Sequence, residues 1–254
     1  MSHFYNLKGE SCHEIVGKNG KTRKTTIKDA RENHWYPSVT TIIKDTLAAP
    51  QLDDWKQRQI TEKAFCYQPE PGETPEEYHK RIKELAFEQV DNAADLGTAI
   101  HDAIESFYTG KTYDPKFEVY VAAVDAWVRD NSVTFTAHEL SLVNKSAGYA
   151  GKTDACFTSP KGYGILDFKS RKTQPGKPCL PYDMQDAQIS AYHTAHYGPI
   201  LDMDDKVVGV NVFISTTEPG RVEATWYSAE ELRAAWTAFY HTCKVWQFLK
   251  SYTP

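Results

Sequence analysis

The spacing of apolar residues divides the chain into a helical first half and a strand-rich second half. Among short apolar stretches near the start sits a Gly-rich, basic turn, GKNGKTRK (Gly17–Lys24), which predicts a β-hairpin or a mobile loop. Pro37-Ser38 followed by Ile42, Ile43 and Leu47 predicts a capped helix start. A Pro/Glu-rich stretch, Gln68–Pro75, separates it from a long helix over Glu76–Gly110, where Ile82, Leu85, Ala86, Val90, Ala93, Ala94 and Leu96 recur at helical spacing. One more helix, Lys116–Arg129, would bury Val119, Ala122, Ala123, Ala126 and Trp127. The pattern then changes. Val133–Val143, Tyr149–Phe157 and Tyr163–Lys169 predict consecutive strands, the last two joined by the turn SPKG. After a loop with prolines at 175, 178 and 181 come a helix over Tyr182–His196 and a strand pair, Lys206–Ser215 and Arg221–Tyr227. A closing helix runs from Ser228 to about Leu249, with Ser228 and Glu231 spaced as a capping box. The order predicts one α/β domain over residues 1–254: a hairpin or loop segment (1–34), a mainly helical part (35–131) and an α/β core (132–254).

Composition narrows the class without naming a function. The 254 residues are 41% hydrophobic and 25% charged, as in ordinary soluble globular proteins. Five cysteines, none at CxxC spacing, argue against structural zinc, a disulfide framework or an iron–sulfur cluster. Neither a signal peptide nor a membrane span is visible, so the expected location is the cytoplasm, with no membrane partner.

The chemistry-bearing positions begin with ILDFKS (Ile165–Ser170). Alternate side chains of a strand share a face, so Asp167 and Lys169 point one way and Leu166 and Phe168 the other. The preceding strand, GYAGKTDACF, brings Asp154 alongside, and cross-strand neighbours lie roughly 5 Å apart. Two carboxylates so close repel unless a cation lies between them, and hard divalent ions favour oxygen ligands. On the upstream helix LGTAIHDAIESFY, Gly97, His101 and Glu105 share one face. A lone helical histidine is more often structural than a ligand, and Glu105 reads as a partner of His101 or an outer support. On the helix after the Pro-rich loop, Gln185, Gln188 and Tyr192 share a face. His193 and His196 have zinc-like spacing but no matching acid or cysteine.

Taken in order, GTAIH, AGKTD, LDFKS and QISAY resemble the motifs of the PD-(D/E)XK nuclease superfamily, and more narrowly its RecB-type branch. YPSVTTII followed by LDDW (Leu52–Trp55) looks like the opening of phage and mitochondrial genome-maintenance exonucleases. The resemblance covers roughly residues 35–197. It implies a restriction-endonuclease-like core: a central mixed β-sheet flanked by helices, with a helical N-terminal part. It implies Mg²⁺ or Mn²⁺ held by His101, Asp154, Asp167 and the Phe168 carbonyl. The implied catalytic set is Lys169 with Asp154 and Asp167, and Gln188 and Tyr192 line it. Glu139, where the family often carries an acid, and Glu105 are candidate additional acids. Several RecB-type members carry a four-cysteine iron–sulfur cluster that these cysteines do not fit, which points to the cluster-free exonucleases.

A net charge of −5 gives no overall attraction to nucleic acid, so any DNA contact must be local. Residues 144–178 hold seven basic residues against Asp154 and Asp167, and Lys152, Arg171, Lys172 and Lys177 are the candidate DNA contacts. Residues 8–31 hold seven basic residues against three acids. Both runs would suit phosphate contacts, though a charge run is usually only a solvated face. Trp35, Tyr36, Tyr149 and Tyr163 would stack on bases or belong to the core. The leading expectation is a metal-dependent DNA exonuclease acting on single-stranded or duplex ends in recombination, repair or replication. It would work alone or beside a recombination or replication protein, in the host cytoplasm if phage-encoded. The alternatives are a structure-specific endonuclease, an inactive DNA-binding module, and a structural protein with coincidental motifs.

Overall fold

The computed structural model describes residues 3–17 and 20–254, without the side chains of residues 89–94. Lys18 and the side chains of Val90, Ala93 and Ala94, named above, lie outside the described residues. In chain order, the short strands β1 (Phe4–Tyr5), β2 (Glu14–Val16) and β3 (Thr22–Lys24) lead to α1 (Ile27–Asn33), β4 (Tyr36–Pro37) and α2 (Val39–Thr46). Next come α3 (Pro50–Cys66), α4 (Pro75–Tyr108) and α5 (Glu118–Asp130). Strands β5 (Thr134–Asn144), β6 (Tyr149–Ser159) and β7 (Gly162–Arg171) follow, then α6 (Gln185–Tyr197), β8 (Val207–Ser215), β9 (Val222–Tyr227) and α7 (Ala229–Lys250). The chain forms two compact units, one of Met1–Leu47 with Ala103–Pro254 and one of Ala48–Asp102.

The larger unit is built on a five-stranded mixed sheet in the order β5-β6-β7-β8-β9. All neighbours are antiparallel except β7 and β8, whose parallel pairing needs the α6 crossover. Every residue of β8, VVGVNVFIS, is buried, as expected of a strand covered on both faces. On one face α6 and α7 press so closely that a Cβ at Gly209 would meet Ile189 at 2.5 Å. On the other, Trp127 of α5 stacks on Trp226 of β9, with ring centres 6.0 Å apart. The α6/α7 side holds the main apolar cluster, with Trp246, Phe239, Tyr149, Ile189 and Ile165 at its centre. The expected α/β core, a central mixed sheet flanked by helices, is present.

Local signals act as their chemistry dictates. Ser38 caps α2 by accepting the Thr41 N–H, and Ser228 and Glu231 form the anticipated capping box on α7. The GKNGKTRK turn joins β2 to β3 in an antiparallel pair. Two expectations need correction. Pro50 starts a separate helix, because the residue before a proline is driven out of the helical region. This α3 buries none of its residues, so it carried no clear apolar stripe. On α5 the buried positions are Tyr120, Val121, Val124 and Val128, while Val119 is 42% exposed. That helix is apolar almost all round, and periodicity alone chose the wrong side. Tyr149 belongs to the core, its hydroxyl donating to the Ala191 carbonyl at 2.8 Å, and Tyr36 is also buried. In the smaller unit, the Tyr78 hydroxyl donates to the carbonyls of Ala64 and Tyr67, and Arg81 pairs with Glu73 at 2.7 Å. No helix among the described residues is long and apolar enough to cross a membrane.

His193, one of the two zinc-like histidines, is fully buried on α6 between the rings of Tyr163 and Tyr197. Neither ring nitrogen has a hydrogen-bond partner among the described residues. Burial lowers its pKa to about 4, and nearby His196 adds to the effect. The folded state therefore binds fewer protons than the unfolded chain between pH 6.5 and 4, and stability falls as pH drops through that window. Urea titrations should show a loss of up to about 3 kcal/mol from this group on acidification. His193→Phe should flatten that slope; an unchanged slope would remove His193 as its source.

Candidate active site

Strand β7 presents Asp167 and Lys169 on the α6 face, as the alternation predicts. Asp167 is 3% exposed, and its Oδ2 lies 2.6 Å from the Lys169 Nζ. Lys169 Nζ also donates to Gln188 Oε1 at 3.0 Å, and Gln188 Nε2 donates to the Tyr192 hydroxyl at 3.0 Å. Asp167, Lys169, Gln188 and Tyr192 thus form one hydrogen-bonded line from strand to helix. Burial works against the Lys169 ammonium, but the charges of Asp167 and Asp154 outweigh it and its pKa is raised. Gln185 does not join the line: its side chain accepts the Tyr182 N–H at the start of its own helix.

Asp154 stands where the sheet becomes irregular. The β6–β7 ladder stops at Ala155↔Leu166, one position short of Asp154 and Asp167. Beyond it, Asp154 Oδ2 accepts the Phe168 N–H at 2.6 Å, so a carboxylate takes the place of the next strand partner. Across β5–β6 the register passes from His138↔Ala155 to Leu140↔Thr153, and Glu139, between them, has φ 50°. A positive φ is uncommon for a residue with a side chain, and irregular strands re-aim their neighbours. The alternation of both strands slips here: Ala137 and Cys156 belong to the α6-side cluster on one side of the irregularity, and Leu140, Leu142 and Tyr149 on the other. Burial, and then the nearby Asp167 charge, push the Asp154 carboxyl well above the usual range. Two carboxylates held this way favour a cation between them.

The glycine of AGKTD has a physical reason. A Cβ at Gly151 would lie 2.4 Å from Cε1 of Tyr192, so a residue without a side chain leaves room for that ring against β6. Two further residues hold Asp167 from behind. Asn211 Nδ2, on fully buried β8, donates to Asp167 Oδ2 at 3.2 Å, and the Tyr227 hydroxyl on β9 donates to Asn211 Oδ1 at 2.8 Å. Motif reading passed over both. The available signal was a lone asparagine in an otherwise apolar strand, since a buried amide needs partners.

Other predicted residues are placed differently. Glu139 is ion-paired with Lys152, which ties up both a candidate acid and a candidate DNA contact. Glu105 pairs with Lys111 at 3.4 Å. His101 is half-buried on α4 within the smaller unit, next to the boundary at Ala103. Arg171, Lys172 and Lys177 line a cavity in the loop after β7. In the N-terminal basic run, Arg23 forms a two-pronged pair with Asp29 at 2.7 Å and Lys24 pairs with Glu14. Much of that run's charge is therefore compensated internally. No group of three or more His, Cys, Asp or Glu side chains among the described residues is arranged to hold a metal ion. The donor set is two carboxylates with the adjacent backbone, which suits a hard ion that keeps most of its waters, as Mg²⁺ does.

Gly151→Ala should push the Tyr192 ring out of line and cost about 1–3 kcal/mol of stability, the usual penalty for overpacking. Chemical denaturation measures this, and a neutral result would show that Tyr192 does not depend on that gap.

No family model matches the chain, and no curated protein sequence does. Among solved structures, SSO0001 is similar with a TM-score of 0.34 and 15% identity, covering 80% of this chain and 87% of its own. An alkaline exonuclease, LHK-Exo from Laribacter hongkongensis, is similar with a TM-score of 0.36 and 13% identity, over 84% of this chain and 91% of that one.

Proposed function

We propose that the chain is a metal-dependent deoxyribonuclease whose centre is Asp154, Asp167 and Lys169, and that it cuts phosphodiester bonds from DNA ends. The observation that carries this reading is the hydrogen-bonded line from Asp167 through Lys169 and Gln188 to Tyr192, with Asp154 beside it. A structural salt bridge needs one acid; a second buried carboxylate beside the same lysine suits a bound cation. Asp154, Asp167 and the Phe168 carbonyl would hold Mg²⁺ or Mn²⁺, and His101 is the further ligand the motif resemblance implies. When bound, such an ion polarises a phosphoryl oxygen and acidifies a water.

The protein's own groups do the rest. Lys169, fixed on one side by Asp167 and on the other by Gln188, keeps an ammonium where charge develops on the phosphoryl group. Gln188 sets the direction of its N–H bonds, and Tyr192 fixes Gln188. Asn211 and Tyr227 hold Asp167 in one rotamer. The residue chemistry also accommodates a structure-specific endonuclease, and the choice between the two depends on the path DNA takes to the centre. An inactive binding module is disfavoured, because paired carboxylates facing a phosphate weaken binding. We take both compact units as parts of one nuclease domain, and a recombination or replication protein as a working partner.

Purified protein should degrade end-labelled oligonucleotides with Mg²⁺ or Mn²⁺ and stop in EDTA. Asp167→Asn and Lys169→Gln should each slow cleavage by roughly 100- to 1000-fold. Each leaves one buried partner exposed to loss of stability, so the double variant Asp167→Asn/Lys169→Met, which removes both charges together, serves as the folded control. Full cleavage by the Lys169→Gln protein would sink the assignment. A closed circular substrate compared with linear DNA separates endonuclease from exonuclease action.

A further inference from the structure

The segment between β7 and α6 encloses a cavity of about 210 Å³, lined in part by Arg171, Lys172, Lys177, Cys179, Leu180 and Tyr182. Its walls are fixed by bonds independent of the Asp167–Lys169 line. Arg221 donates to the carbonyls of Gln174 and Lys177, the Cys179 N–H donates to Glu223 at 2.9 Å, and the Thr173 N–H to the Thr217 hydroxyl at 2.9 Å. Two carboxylates beside the loop, Glu218 and Glu223, are both ion-paired with Arg221. The cavity is therefore preformed and cationic, and a preformed site loses little entropy on binding.

Arg171 gives it a direction. Its guanidinium carbon lies 3.8 Å from the centre of the Tyr182 ring and 4.9 Å from that of Phe213, and one terminal nitrogen donates to the Leu180 carbonyl. The other terminal nitrogen is buried and has no hydrogen-bond partner among the described residues. A buried guanidinium N–H without an acceptor is costly, and guanidinium is the side chain best matched to phosphate oxygens. Lys172 and Lys177 are exposed at the same cavity. Arg171 is two residues beyond Lys169, on the same strand face and about 7 Å further along. That step is of the same order as the one between successive phosphates of a nucleic-acid strand.

Building on the nuclease reading above, we propose that this cavity is a phosphate subsite, which holds the phosphate next to the one being cut. Lys172 and Lys177, exposed at the cavity, contact it, and Arg171 supplies a fixed positive charge from the wall. The ligand is a nucleic-acid phosphate, either an internal diester or the phosphate at a strand end.

The test uses end-labelled oligonucleotides, single-stranded and annealed, each carrying one uncharged methylphosphonate linkage at a successive position. Binding is read by fluorescence anisotropy in EDTA, and cutting by product sizes in Mg²⁺. The proteins are wild type and Lys172→Gln/Lys177→Gln, whose exposed side chains are not needed for folding. In wild type, one neutral position beside the cut should weaken binding and cutting by roughly 10-fold, and the variant should lose most of that sensitivity while its salt slope falls by about 1 per lysine. A penalty equal in both proteins, or no sensitive position, overturns the subsite. Position-dependent binding with no cutting would uphold the subsite and defeat the nuclease reading; cutting without this coupling would do the reverse. Substrates with and without a terminal phosphate tell the two sources apart: for a strand end, the coupling vanishes when that phosphate is absent.

Discussion

A carboxylate in the middle of a five-stranded sheet carries a desolvation cost of several kcal/mol unless it meets a partner charge and enough donors. Asp167 is placed there, and much of the surrounding architecture supplies what it needs. Lys169, two residues on, reaches it at 2.6 Å, and Asn211 on the parallel neighbour strand donates at 3.2 Å. Asn211 is itself buried and is oriented by Tyr227 from the next strand. Lys169 must be held against its own flexibility, and Gln188 does so from α6. Gln188 needs Tyr192, and Tyr192 fits only because β6 has no side chain at position 151. Strands β6 to β9 and α6 are thus tied to one ion pair, and a shift in any of them changes the distance at its centre.

The ion pair is not the whole of the site. Asp154 adds a second carboxylate, and burial together with Asp167 raises its pKa despite the nearby Lys169. Lys152, the next cation along β6, is ion-paired with Glu139 and also draws the Asp154 carboxyl down. On the proposed reading the two neighbouring acids have a use. A divalent ion between them would offset their mutual repulsion and leave the centre able to receive a phosphodiester.

The order of elements and the Asp167–Lys169 face were legible in the sequence because they depend on period and on side-chain type. The chemistry of Gln188 and Tyr192 was legible as spacing, and the structure adds what they bond to. What escaped was set by tertiary packing. On α5, apolar residues lie on several sides, and only the sheet it covers decides that Val124 is inside and Val119 outside. The slip in alternation at Glu139 and Asp154 leaves no mark on composition, because neither residue is a glycine or a proline. Asn211 did leave a mark, an amide among valines, but its role depends on Asp167 at the matching register of the neighbouring strand. His101 remains a reading from motif alone.

The same distinction applies to charge. Two basic runs of similar size were visible in the sequence, and composition could not rank them. In the N-terminal run, Arg23 and Lys24 are occupied by Asp29 and Glu14, so their contribution at a distance is small. In the run over residues 144–178, Lys152 and Lys169 are likewise paired, with Glu139 and Asp167, but Arg171, Lys172 and Lys177 gather at the loop after β7, beside which Glu218 and Glu223 are held by Arg221. The difference matters more than the net charge of −5. Exposed charges further apart than a Debye length, about 8 Å at physiological salt, scarcely feel one another. A phosphate near Lys169 therefore responds to Arg171 and its neighbours, and the acidic remainder of the chain is largely screened from it.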